Sequence, residues 1–367
     1  MELRRQATAL FVTYFLAWSV VPIYGLFSTY LFSADGVPIL EVGAFGTSYA
    51  ASSTVGQYVL GRMSDATSSR KTVMLVALVG MSSSTLMDLL YRSTFTLAFS
   101  GISAAFFAGG FASTVLASSV ELSGGAGSNI SLVRIGGALG WIVGSLLIPY
   151  LLTTGGTPRT FLVLEVLLVG SVLFAWFSIR DSHVTSAPPV ELRNGPIYLY
   201  AGLAGVITSS ASWMLPPFVE ASGGSIQFLG RVIALGAAAE VPSMLLAGRL
   251  YDRYKSGALL LFNGAILSVA VFLYGLLPLN LLPLAQVARG AGYGLFVVSV
   301  PAILAGRGGK RGEVAGAFLA SYSAGSVVGG VVGGALSELF GARSFFLLVS
   351  SLLLASSVAT WVRRRDR

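Results

Sequence analysis

Gly61–Lys71 reads GRMSDATSSRK, a charged stretch set between two long apolar runs. The chain says nearly the same thing again at residues 247–257, AGRLYDRYKSG. Gly61 to Gly248 and Asp65 to Asp252 share one offset, 187 residues. Each copy pairs Gly-Arg with an Asp three residues on, and each ends basic: Arg70 and Lys71 in the first, Arg253 and Lys255 in the second. A duplicated charged turn inside an apolar chain points to two repeats of one folding unit.

Composition says what surrounds those turns. The 367 residues are 54% hydrophobic and only 10% charged, with a mean hydropathy of +0.80. Soluble domains carry roughly 25% charged residues. The reading is an all-α polytopic membrane protein, with room for about twelve spans of about 20 residues each. The short alternating segments of a membrane β-barrel are absent from the sequence. The net charge of +8 does not imply nucleic acid, because the basic residues lie between spans. With no cysteine and a single histidine, His183, thiol chemistry is excluded and a metal site of the His/Cys type is not expected. No cofactor is expected either.

Spans are predicted near 7–32, 41–60, 72–91, 95–121, 130–152, 160–180, 196–219, 226–248, 257–276, 279–305, 313–338 and 344–362. Orientation follows from lysine and arginine. With the N-terminus inside, the inner segments hold seventeen of them and the outer loops only Arg92, Arg159 and Arg343. That asymmetry predicts cytoplasmic N- and C-termini, and the expected location is the plasma membrane. Residues 181–195, DSHVTSAPPVELRNG, are polar and contain two prolines. They divide the chain into an N-terminal six-helix bundle (1–180), a cytoplasmic linker (181–195) and a C-terminal six-helix bundle (196–367).

Glycine supplies a second internal echo. Gly136, Gly140 and Gly144 in span 5 recur as Gly325, Gly329 and Gly333 in span 11. Glycines four apart make a smooth helix face that another backbone can approach. One reading is helix packing; the sharper one is a surface that slides against the opposite half.

Two related halves joined by a linker are the sequence sign of a parallel-repeat transporter. GRMSDATSSRK resembles the loop 2–3 signature of the major facilitator superfamily, and AGRLYDRYKSG resembles its second-half copy. The first copy departs from the pattern, with Ser68 and Ser69 where a glycine and a basic residue are usual. The resemblance covers the whole chain and implies twelve helices in two pseudo-symmetric six-helix bundles. It also implies that spans 1, 4, 7 and 10 line a central cavity and that spans 2, 5, 8 and 11 meet between the halves. GQYVLGRMSDATSSRK, SLVRIGGALGWIVG and AAAEVPSMLLAGRLYDR are similar to the sugar efflux transporter branch, at Gln57, Arg134, Trp141, Glu240 and Pro242. The resemblance makes Gly61, Arg62, Asp65, Arg70, Lys71, Gly248, Arg249, Asp252 and Arg253 conformational switch loops. Asp65 and Asp252, at helix ends, can accept charge-assisted hydrogen bonds from backbone or arginine; the alternative is a topological anchor.

The duplication separates folding charges from working charges. A charge needed by the fold should appear in both halves. Arg134 has Ser323 as its counterpart, Glu240 has Ser53, and Arg289 has Gly101 or Ile102. An ionisable group inside a membrane costs at least ~2.5–3.5 kcal/mol near the centre, so unmatched ones are functional candidates. Arg134 and Glu240 lie one and two turns from the same side of spans 5 and 8, and are expected to form an inter-bundle gate; the alternative is that Arg134 snorkels to the surface. Gln286, Arg289 and Tyr293 share one face of span 10, directed at a solute or, alternatively, with Arg289 bridged to Glu165 or Asp88. Glu240 is the candidate proton site.

Aromatic residues beside donors suit sugars, whose C–H faces pack on rings while hydroxyls need hydrogen bonds. Tyr14 and Trp18, Ser209 and Trp213, and Tyr322 and Ser326 share helix faces, as do Arg134 and Trp141. The substrate-binding candidates are Tyr14, Trp18, Gln57, Trp141, Trp213, Gln286, Arg289, Tyr293 and Tyr322. The competing role for Trp and Tyr is the interface belt of a membrane helix.

The expected activity is secondary transport by alternating access, with efflux of a sugar or similar polyhydroxylated compound, proton-coupled; the alternative is a proton-coupled multidrug exporter. No GxxxxGK[ST] loop for ATP occurs, and nothing resembles a hydrolytic centre. A sensor lacks a soluble domain and a channel lacks a filter-like repeat. The expected partners are a small-molecule solute, the lipid bilayer and protons, with the protein a monomer.

Overall fold

The structure, a computed structural model, describes residues 2–67, 69–91, 93–123, 127–181, 195–254, 258–305 and 311–365. Among the described residues the regular elements are all helical: α1 (Glu2–Trp18), a π-helical turn (Ile23–Phe27), α2 (Ser28–Ala34), α3 (Ile39–Ala66), α4 (Arg70–Leu90), α5 (Thr94–Ser123), α6 (Gly127–Ser178), α7 (Gly195–Ala221), α8 (Ile226–Tyr254), α9 (Ala258–Leu276), a short 3₁₀ turn (Leu279–Leu281), α10 (Leu282–Ala305), α11 (Arg311–Phe340) and α12 (Ala342–Arg365). Most of the expected linker, residues 182–194, lies outside the described residues.

Twelve spans come out of these elements. Among the described residues, nine helical segments are long and apolar enough to cross a membrane. One of them, Val133–Ser178, is 46 residues long, and α6 there is two spans folded at Gly156. That glycine sits at φ 68°, in the left-handed region open to glycine, and Pro158 follows it. Gly341, at φ 77°, makes the corresponding turn between α11 and α12. α3 and α7 complete the set at 28 and 27 residues, each about 40 Å long at 1.5 Å per residue. The first span runs Arg5–Ala34 through the π-helical turn that follows Pro22. Phe95, Trp176 and Phe177 stand exposed, as a lipid-facing surface requires.

The chain forms two compact units. The first contains Met1–Asp35 and Ser48–Ser186, the second Gly36–Thr47 and Ala187–Arg367. The break after Ser186 falls inside the stretch expected to link the halves. Residues 36–47, expected in the first half, count with the second.

In the first unit, α1 packs along the first part of α6, α4 along α5 and the second part of α6. Leu10, Met74, Leu78, Phe111 and Val115 are among the buried apolar residues at its centre. A Cβ on Gly136 would stand 2.6 Å from the carbonyl oxygen of Phe11, and Gly140 and Gly144 lie as closely against Phe15 and Ser19. The glycine ladder of span 5 therefore receives α1. In the second unit α7 packs along α11, α8 along α10 and α9 along α12. Gly325 lies on Gly202, Gly329 on Val206 and Ser209, and Gly333 on Ser210 and Met214. Both ladders thus meet helices of their own half, which supports the packing reading.

The repeat is visible in these pairings. Gly109 of α5 lies over Ser53 of α3, and Gly294 of α10 lies over Glu240 of α8, the residue one repeat beyond Ser53. Within the second unit, residues 39–47 lie on the other face of α11. A Cβ on Gly43 would meet the Gly330 carbonyl oxygen at 2.5 Å, and the Val331 amide donates to Thr47 Oγ1 at 2.9 Å.

Candidate functional site

Two clusters carry the chemistry. The first is the charged turn. Gly61, Arg62 and Asp65 ride the last turns of α3, and Arg70 and Lys71 open α4. Ser69 caps α4, its Oγ accepting from the Thr72 amide at 3.2 Å. The guanidinium of Arg70 is the hub, with its side chain only 6% exposed. It donates to Asp65 Oδ1 at 2.5 Å and Ser64 Oγ at 2.9 Å. It also donates to Glu121 Oε1 on α5 from Nη2 at 2.7 Å and from Nε at 3.2 Å. Such charge-assisted forks are the strongest hydrogen bonds a protein makes.

A second layer ties in the end of α6. Asp181 accepts from Ser69 Oγ at 2.9 Å and from the Lys71 amide at 3.0 Å. Lys71 Nζ donates to the Trp176 carbonyl at 2.6 Å and lies 5.7 Å from the Trp176 ring centroid. Four helix ends are thereby held together. Asp65 is engaged, as its position at a helix end suggested, by an arginine five residues on. Glu121 and Asp181 were not picked out from the sequence. Glu121 sits in an otherwise apolar and hydroxyl-rich helix, a signal that could have found it. The side chains of Gly248, Arg249, Asp252 and Arg253 lie outside the described residues, although their backbone continues α8.

The second cluster lies wholly in the second unit. Gln286, Arg289 and Tyr293 rise on one face of α10. Glu240 of α8, Tyr274 of α9, and Tyr322 of α11 converge on them. Arg289 Nε donates to Gln286 Oε1 at 3.2 Å, and the Tyr274 phenol donates to the same oxygen. Arg289 Nη2 lies 3.9 Å from Glu240 Oε1, with the two side chains 17% and 22% exposed. The acid at Arg289 is Glu240. Tyr293 and Tyr322 have ring centroids 6.2 Å apart, and Phe296 and Phe318 extend the aromatic group. The Tyr322 phenol and Thr208 Oγ1 are 3.0 Å apart.

Other candidates scatter. Tyr14 and Trp18 meet edge to face at 4.6 Å and both pack on Phe111. Tyr14 fits over Gly137. Arg134 is exposed. Trp141 is half-buried and Gln57 exposed. Trp213 is buried against Phe45 and Gly46 within the second unit, and Ser209 donates to the Ser326 carbonyl at 2.9 Å. Asp88 is buried and accepts from Ser100, and Glu165 accepts from Ser82; both belong to the first unit.

The sequence matches the Major Facilitator Superfamily over residues 7–305. The chain belongs to that family. Its fold is also that of solved transporters. A mutant form of the nucleoside transporter NupG aligns at a TM-score of 0.82 and 14% identity, over 97% of this chain and 98% of that one. The human organic anion transporter MFSD10 (TETRAN) aligns at 0.72 and 17%, over 98% and 99%. A bacterial homolog to the human lysosomal transporter Spinster aligns at 0.79 and 13%, over 99% and 97%. At these identities the likeness is one of fold. No curated protein sequence matches the chain. The protein is a multi-pass membrane transporter of a small solute, not an enzyme.

Proposed function

We propose that the protein exports a sugar or similarly polyhydroxylated solute by alternating access, as a monomer in the plasma membrane with both termini cytoplasmic. The moving parts are the bundles 1–180 and 196–367, with 181–195 as the linker and the two charged turns as switch loops. The observation that carries the reading is the second-unit cluster: a guanidinium, an amide and a carboxylate gathered beside the rings of Tyr293 and Tyr322. Ring faces and polar groups side by side suit a polyol. Tyr14, Trp18, Gln57, Trp141 and Trp213 are the further solute contacts in this scheme.

Glu240 is the proton carrier and one side of the gate, with Arg134 its partner across the halves. The gate has a direct test. Glu240→Gln and Arg134→Ala each lower transport, and exchanging the two charges restores part of it; normal single variants with no rescue end the idea. The Tyr14–Trp18–Phe111 stack favours a second reading, a proton-coupled multidrug exporter. Flux into proteoliposomes with a panel of sugars and cationic drugs, with and without a pH gradient, separates the two. Sugar movement driven by the gradient supports the first reading; drug movement alone replaces it with the second.

A further inference from the structure

We propose that the exported solute carries an acidic group and that Arg289 is the residue that binds it; this rests on the transport reading above. The argument begins with what a buried guanidinium requires. Arginine brings five N–H donors and no acceptor, and it stays charged. Inside a membrane that charge is tolerated only beside an anionic or strongly polar complement.

The molecule itself shows what a satisfied arginine looks like. Arg70 meets two carboxylates, at 2.5 and 2.7 Å, and a serine hydroxyl at 2.9 Å. Arg289 is held differently. Its Nε donates to a neutral amide oxygen that the Tyr274 phenol shares. Its nearest carboxylate stands 3.9 Å away, beyond hydrogen-bond reach. Among the described residues, no carboxylate lies within hydrogen-bond distance of this guanidinium. Gln286 fixes one edge of the fork and leaves the Nη edge, the one shaped to take a carboxylate through two parallel hydrogen bonds.

The surroundings narrow the ligand further. Tyr293 and Tyr322 supply rings backed by the fully buried Phe296 and Phe318, and the Tyr322 phenol is held against Thr208. A ring bearing hydroxyls and one carboxylate, the sugar-acid class, answers every group present. A neutral sugar leaves the Nη edge facing a carboxylate at 3.9 Å, beyond hydrogen-bond reach. Glu240 then acts as the resident carboxylate that the solute's acid competes with.

Glucuronate and glucose make a matched probe pair, since a carboxylate replaces one hydroxymethyl group. Binding of each is measured by calorimetry on the purified full-length protein, alongside flux into proteoliposomes. Glucuronate is expected to bind at least about tenfold more tightly than glucose, the scale of one charged hydrogen bond. Arg289→Gln abolishes that preference, while Glu240→Gln strengthens glucuronate binding several-fold. Arg289→Lys keeps the charge without the fork and retains part of the preference. The wild-type ratio needs no variant, so a variant that fails to fold leaves the test intact. Glucose crossing and binding as well as glucuronate overturns the acid inference and leaves sugar export standing. Neither probe binding nor crossing overturns both.

Discussion

The two units handle a buried arginine in opposite ways. In the first, Arg70 sits at the end of a helix and is closed on every side by Asp65, Ser64 and Glu121. In the second, Arg289 sits in mid-helix with a neutral partner and a distant acid. The first arrangement gains stability by setting two carboxylates against the charge. The second leaves its carboxylate outside hydrogen-bond reach, which is the basis of the solute-acid proposal. The difference teaches that an arginine's place in this molecule is read from its acceptors, not from its burial, since both side chains are largely covered.

The comparison breaks first at Arg70. Arg70→Ala takes the guanidinium fork away from Glu121, itself 10% exposed, at a cost of about 3 kcal/mol. Thermal unfolding in detergent should fall sharply, and adding Glu121→Gln should recover part of the loss. No loss would place the hub among decorative surface pairs. Next come the glycine ladders. Gly144 abuts the Ser19 backbone, whereas the nearest atom to a Cβ on Gly333 is a flexible Met214 carbon at 3.0 Å. Gly144→Ala should cost about 2 kcal/mol and Gly333→Ala visibly less; equal effects would mean that α11 is held as rigidly as α6. Glu240→Gln, which takes away the carboxylate 3.9 Å from Arg289 Nη2, should lower unfolding stability less than Arg70→Ala does. A loss matching that of Arg70→Ala would erase the distinction between the two arginines. Smallest is Gly170→Ala. Nothing lies within 4 Å of its would-be Cβ, so the change should be neutral or stabilise by up to about 1 kcal/mol.

Much of the fold was legible in the residues. The offset between Asp65 and Asp252 announced the repeat, and the apolar runs placed the spans because a bilayer demands one helix length of each. Helix ends were less legible. Gly61–Ala66 and Gly248–Tyr254 read as loop from their charges, yet they continue α3 and α8, since nothing in GRMSDA or GRLYDRY breaks a helix. The site was legible along α10, where Gln286, Arg289 and Tyr293 are spaced by one helix period. Its partners from other helices were not. Glu240 was singled out for want of a counterpart, but its closeness to Arg289 depends on how α8 leans on α10 through Gly236 and Gly290. Tyr274, which shares the Gln286 oxygen, was not singled out from the sequence. Periodicity relates residues on one helix; only packing relates residues on two.

The anchoring of Asp181 has a practical corollary. Its carboxylate grips Ser69 and the Lys71 amide, and every other group in that clamp lies earlier in the chain. A polypeptide severed just after Asp181 therefore carries the whole fastening with it. The leading fragment should keep its four helix ends knotted without its sequel.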